Sequence, residues 1–110
     1  MNDETRSGRQ QALEAAVETI RNGVFVETLA RRVAMPTESQ NPQAQQPLRA
    51  YLVDEIQPTL MALGFECQVY DNPMAGQPPL LIGVRHEGDE LPTLLTYGHG
   101  DVTNGQENEW

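Results

Sequence analysis

The feature that most constrains this chain is a change of hydrophobic period at Gly64. Before it, Leu48, Leu52, Ile56, Leu60 and Leu63 recur in steps of three or four, the spacing that lines one face of an α-helix with apolar side chains. After it, Phe65, Cys67 and Val69 alternate with Glu66, Gln68 and Tyr70, the period of a strand with one wet face near a sheet edge. The glycine between them supplies a left-handed helix stop. A chain that carries both periods back to back has to pack a helix on a sheet. The pattern predicts a helix over about 44–63 and a strand over about 65–71. Pro58 removes a backbone donor in mid-helix, so a kink or a restart is expected there.

Upstream, Leu13, Ala16, Val17 and Ile20 stand at helical spacing, Gly23 marks a break, and Val26, Leu29, Ala30 and Val33 form a second stripe. Arg31 and Arg32 fall near the end of that stripe, where cations suit the helix dipole. The segment should stop before Pro36, because the residue preceding a proline is pushed out of the helical region. Helices are therefore expected over about 10–34, with residues 1–9 disordered. Residues 36–42 read as a loop, with Asn41 and Pro42 as N-cap and first helical position of the next helix. Thr37 and Ser39 in this loop are assigned to capping and turn formation and are not taken as site residues.

Downstream, Leu80-Leu81-Ile82-Gly83-Val84 is an unbroken apolar run, which predicts a strand over about 80–86 covered on both faces, with Gly83 at a bulge or a close approach. His86-Glu87-Gly88-Asp89-Glu90 is polar around a central glycine and reads as a solvated turn, so His86 stays out of the site. A third strand, buried, is expected over about 93–98. It ends at Gly98 and Gly100, which permit dihedrals and close backbone approach that other residues resist. The order helix, helix, strand, strand, strand gives an α/β fold in which N-terminal helices pack on a mixed sheet.

Composition narrows the function. Sixteen acidic residues oppose seven basic ones, all arginine, for a formal charge of −9. That balance argues against a nucleic-acid partner or an acidic membrane surface. Cys67 is the lone cysteine, so neither an intramolecular disulfide nor a cysteine metal cluster can be built. The first ten residues lack an apolar leader core, and nowhere does an apolar stretch reach the length of a membrane span. A soluble cytoplasmic protein is expected.

Chemistry concentrates in Gly98-His99-Gly100-Asp101. In extended chain, residues two apart point the same way, so His99 and Asp101 should project together. Imidazole is a good zinc ligand when a carboxylate or carbonyl on its other nitrogen fixes tautomer and orientation. From spacing alone the same residues read equally well as a tight turn with Asp and Gly in turn roles.

The longer string Leu95-Thr96-Tyr97-Gly98-His99-Gly100-Asp101-Val102, followed by Trp110, resembles the first metal-site motif, Gly-His-x-Asp-Val, of a family of zinc amidohydrolases and metallopeptidases. Its members include aminoacylase, acetylornithine deacetylase, succinyl-diaminopimelate desuccinylase and carboxypeptidase G. The order of elements upstream is also similar, so the resemblance spans roughly residues 24–110. It implies an incomplete piece of a di-zinc catalytic domain. His99 would be a metal ligand, and Asp101 the catalytic carboxylate that hydrogen-bonds the other ring nitrogen. Two zinc ions, replaceable by cobalt, and a homodimeric full-length protein are implied with it. The implied reaction is hydrolysis of an amide or peptide bond in an N-acyl amino acid or small peptide by metal-activated water. The remaining ligands and the general base of the family fall beyond the matched region. Many members continue Asp-Val-Val-Pro where this chain has Asp101-Val102-Thr103-Asn104, which implies a different loop around the substrate.

Two expectations follow. The chain reads as an N-terminal fragment that is inactive by itself, since one histidine and one orienting carboxylate cannot fill a four-ligand zinc site. Its competitor is a non-catalytic α/β binding or assembly module in which His99 and Asp101 only close a turn.

Overall fold

In the computed structural model, which describes residues 3–105, the helical and strand periods fall where the sequence puts them on either side of Gly64. The chain divides into two units, with the boundary between Ala34 and Met35.

The first unit is a pair of helices, α1 (Asp3–Arg21) and α2 (Val24–Val33). Gly23 separates them in the left-handed conformation at φ 84°, the break expected there. Helix α1 starts at Asp3 and not near residue 10, so residues expected to be disordered are helical. Residues 3–9 include the weak helix formers Thr5, Ser7 and Gly8 and extend a helix whose body, from Gln10 on, is rich in Ala, Glu and Gln, where a hydrogen bond from Gln10 Nε2 to Glu14 Oε1 at 2.8 Å links successive turns. Helix α2 closes as expected before Pro36, with the Ala34 amide donating to Ala30 O.

In the second unit, Asn41 caps the helical run through its side chain, which accepts from the Gln43 amide at 3.0 Å, and Pro42 follows at the first helical position. A 3-10 turn (Pro42–Ala44) leads into α3 (Gln45–Ala50), a π-helical segment (Tyr51–Ile56) and α4 (Gln57–Ala62). The sequence predicted a kink at Pro58, and the departure from α geometry lies just ahead of it. A proline ring crowds the carbonyl four residues earlier and offers no N–H to it, and widening the preceding turn relieves both problems. The run ends at Gly64, φ 85°. The Gly64 amide donates to Met61 O and the Phe65 amide to Leu60 O, at 3.0 and 3.1 Å, a Schellman closure.

Strands β1 (Glu66–Tyr70) and β2 (Leu80–Val84) pair antiparallel, Glu66 opposite Val84 and Tyr70 opposite Leu80. Cys67, Val69, Leu81 and Gly83 share the better covered face. Gly83 is a close approach: a Cβ there would stand 3.2 Å from Leu60 Cδ1 and 3.4 Å from Cys67 Sγ. The tightest packing lies where the helical run begins, with Ala44 and Leu48 at 4% and 5% exposure and Thr37 at 4%.

Three expectations about the sheet are corrected. Strand β2 is covered on one face only; Leu80, Ile82 and Val84 are exposed on the other. An unbroken apolar run suits a strand with two covered faces, but no described element covers the second one. Residues 93–98 are not a buried strand. They run as irregular chain with Leu94, Leu95 and Tyr97 at 86%, 92% and 82% exposure. A strand needs a ladder partner as well as apolar composition, and here none of the described strands pairs with the segment. The sheet is accordingly antiparallel and two-stranded among the described residues, with a single parallel bridge elsewhere, Glu38 to Val102. The content is mixed α/β, and among the described residues no helix is long and apolar enough to cross a membrane.

Candidate metal centre

The bridge between Glu38 and Val102 brings the loop before the helical run against the motif. The Val102 amide donates to Thr37 O at 2.9 Å, and the Gly105 amide donates to Glu38 Oε1 at 2.9 Å. Gly100 lies against the π-helical segment: a Cβ there would meet Tyr51 Cε1 at 3.2 Å, while one at Gly98 would meet nothing within 4 Å. Neither glycine has positive φ. Gly100 is thus a close approach, and the dihedral freedom expected of the pair is not used.

With the turn held in this way, His99 and Asp101 come together as their spacing predicts. His99 Nδ1 lies 2.6 Å from Asp101 Oδ1 and 3.2 Å from the Asp101 carbonyl oxygen. Both neighbours of Nδ1 are acceptors. A neutral ring therefore carries its proton on Nδ1 and turns the Nε2 lone pair outward. Asp101 is largely covered, at 26% side-chain exposure, whereas His99 is 64% exposed. The Tyr97 ring meets the imidazole edge-on, with centroids 6.3 Å apart and planes at 81°. His99 and Asp101 line one end of a groove of about 320 Å³ floored by Leu48, Tyr51, Leu52 and Leu81.

Sequence reasoning missed Ser39. Its hydroxyl donates to Asp101 Oδ2, so the residue assigned to turn formation instead holds the free oxygen of the carboxylate that contacts His99. The partners are 62 positions apart, and no local pattern could have found the contact. His86 lies where its turn was expected, exposed and 3.0 Å from Asp89 Oδ1 through Nε2.

The donors present fit one position of a zinc site. Nε2 of His99 would be the ligand atom, its ring oriented from behind by Asp101, the arrangement zinc-binding histidines need. A catalytic zinc needs about three protein ligands, and among the described residues no group of three or more His, Cys, Asp or Glu side chains converges. Trp110, part of the resemblance, lies outside the described residues. Comparison with protein-family models, with curated proteins and with solved structures finds no match to this chain.

Proposed function

We propose that this chain is the N-terminal portion of a zinc-dependent hydrolase that cleaves an amide or peptide bond in an N-acyl amino acid or small peptide. The observation that carries the reading is the 2.6 Å contact of His99 Nδ1 with Asp101 Oδ1, which leaves Nε2 as the ligand atom of an exposed, oriented imidazole. Zinc held there would supply Lewis acidity toward an amide carbonyl and bring the ionisation of water into the neutral range. Within the chain, Asp101 keeps the His99 proton on Nδ1, and the groove beside the ring offers apolar walls to an acyl group or side chain.

A second reading is a non-catalytic α/β binding or assembly module. It draws on the contacts of residues 37–39 with the motif loop, which also describe a well-closed turn. Zinc stoichiometry and hydrolysis of N-acyl amino acids and dipeptides by the protein that carries this chain, native and His99→Ala, separate the two. Both quantities are expected to fall together in the variant. A native protein that holds no zinc and hydrolyses no amide would leave the module.

A further inference from the structure

We propose that Ser39 is a positioning residue for His99, acting through Asp101. The inference rests on the reading of His99 as a metal ligand for its purpose, but its physical content lies in the tautomer of the ring. A carboxylate on a short turn can rotate about its own bonds and present either oxygen to the imidazole, or neither. Here one oxygen, Oδ1, meets His99 Nδ1. The other, Oδ2, accepts from the Ser39 hydroxyl, and that donor is fixed in space because the two residues just before it are tied to the motif loop. The Val102 amide bonds Thr37 O, the Gly105 amide bonds Glu38 Oε1, and Thr37 itself is buried at 4% exposure.

The hydroxyl therefore stops the rotation of Asp101. With the carboxylate fixed, Nδ1 is the ring atom that keeps the proton, and Nε2 stays free to bind a cation. A hydrogen bond to an ionised group is stronger than one between neutral groups, and the partly covered position of Asp101 limits competition from water.

The experiment is long-range ¹H–¹⁵N spectroscopy of the imidazole rings in the full 110-residue chain, at alkaline pH where the rings are neutral. His86 serves as the second ring in each spectrum. The native chain is expected to show His99 protonated at Nδ1. Ser39→Ala should shift it toward a mixture of tautomers, and Ser39→Thr, which keeps the hydroxyl, should restore the native pattern. Glu38→Ala removes the side-chain tie to Gly105 but keeps the backbone bond of Val102 to Thr37 and the Ser39 hydroxyl, so it should move the His99 signals much less than Ser39→Ala does.

A native ring protonated at Nε2 would overturn the proposal without any variant. So would an unchanged His99 spectrum in Ser39→Ala, or a change of equal size in Glu38→Ala. Zinc added to the same samples tests the metal reading separately. A native chain whose His99 tautomer depends on Ser39 but whose Nε2 never responds to zinc would keep the positioning role and lose the metal. Where zinc does bind, Ser39→Ala should weaken it by less than the roughly 10- to 100-fold expected for loss of the orienting carboxylate.

Discussion

His99 and Asp101 touch each other, but under the proposed metal reading they would hold different positions with respect to a cation, and substitution separates them. His99→Ala removes the ligand atom, so zinc binding at this turn should be abolished. Asp101→Asn keeps a side chain of the same shape, but its amide can offer N–H to Nδ1 and reverse the tautomer. Zinc affinity should then fall by roughly 10- to 100-fold with the fold intact. Calorimetric titration of the two variants, with circular dichroism as the check on folding, measures both effects, and equal affinity in all three proteins would refute the assignment. The two glycines of the turn differ as well. A Cβ at Gly100 presses on Tyr51 at 3.2 Å, while at Gly98 the space is open. Gly100→Ala should cost about 1 kcal/mol as Tyr51 is displaced, and Gly98→Ala should stay within about 0.5 kcal/mol of native, both read from urea midpoints. At this scale the sequence was legible where chemistry is local. His99 and Asp101 are two apart, and their meeting follows from backbone geometry. Ser39 could not be found, because its bond to Asp101 exists only once the loop at residues 36–42 has closed on the motif.

The two ends of the helical run that Asn41 caps and Gly64 closes were legible for the same reason. Asn41 and Gly64 each act within one helical turn, so their identity announced the ends of the helical run, and the 3-10, α and π segments between them kept Leu48, Leu52, Ile56 and Leu60 of the stripe covered or partly covered while Leu63 stands exposed. Gly64 holds φ 85°, a conformation that side chains resist. Gly64→Ala should therefore lower stability by about 1 kcal/mol, and Asn41→Ala should cost a similar amount, about 1 kcal/mol, through loss of the cap. Thermal and urea unfolding followed by far-ultraviolet circular dichroism would measure both losses, and no change at Gly64 would contradict the Schellman closure. Strand faces were less legible. Leu80, Ile82 and Val84 are apolar yet exposed, and residues 93–98 have strand composition without a ladder. Composition reports what a segment would bury if a neighbour were present. Whether a neighbour is present depends on residues distant in sequence, and for β structure that dependence decides the outcome.

Across the molecule, exposed apolar side chains oppose a large negative charge, and the balance between them sets how the chain behaves in solution. In the second unit Leu80, Ile82 and Val84 lie open on one sheet face, and Leu94, Leu95 and Tyr97 are more exposed still. In the first, Val17, Ile20, Phe25 and Leu29 are 43–61% exposed. Apolar surface of this kind, with unpaired strand edges beside it, favours association. The formal charge of −9 opposes it by repulsion between copies. Added salt acts on both terms in one direction. It shortens the screening length from about 10 Å at 0.1 M to about 3 Å at 1 M, and sulfate strengthens apolar burial. Sedimentation velocity should therefore show a chain that associates with rising concentration, and more strongly in sodium sulfate than in dilute buffer. Leu94→Ser combined with Leu95→Ser should weaken that association, because it removes the two most exposed large apolar side chains of the segment while leaving the charge unchanged. A monomer whose sedimentation is independent of concentration and salt, and which unfolds cooperatively, would mean that these side chains find cover within a single chain in solution.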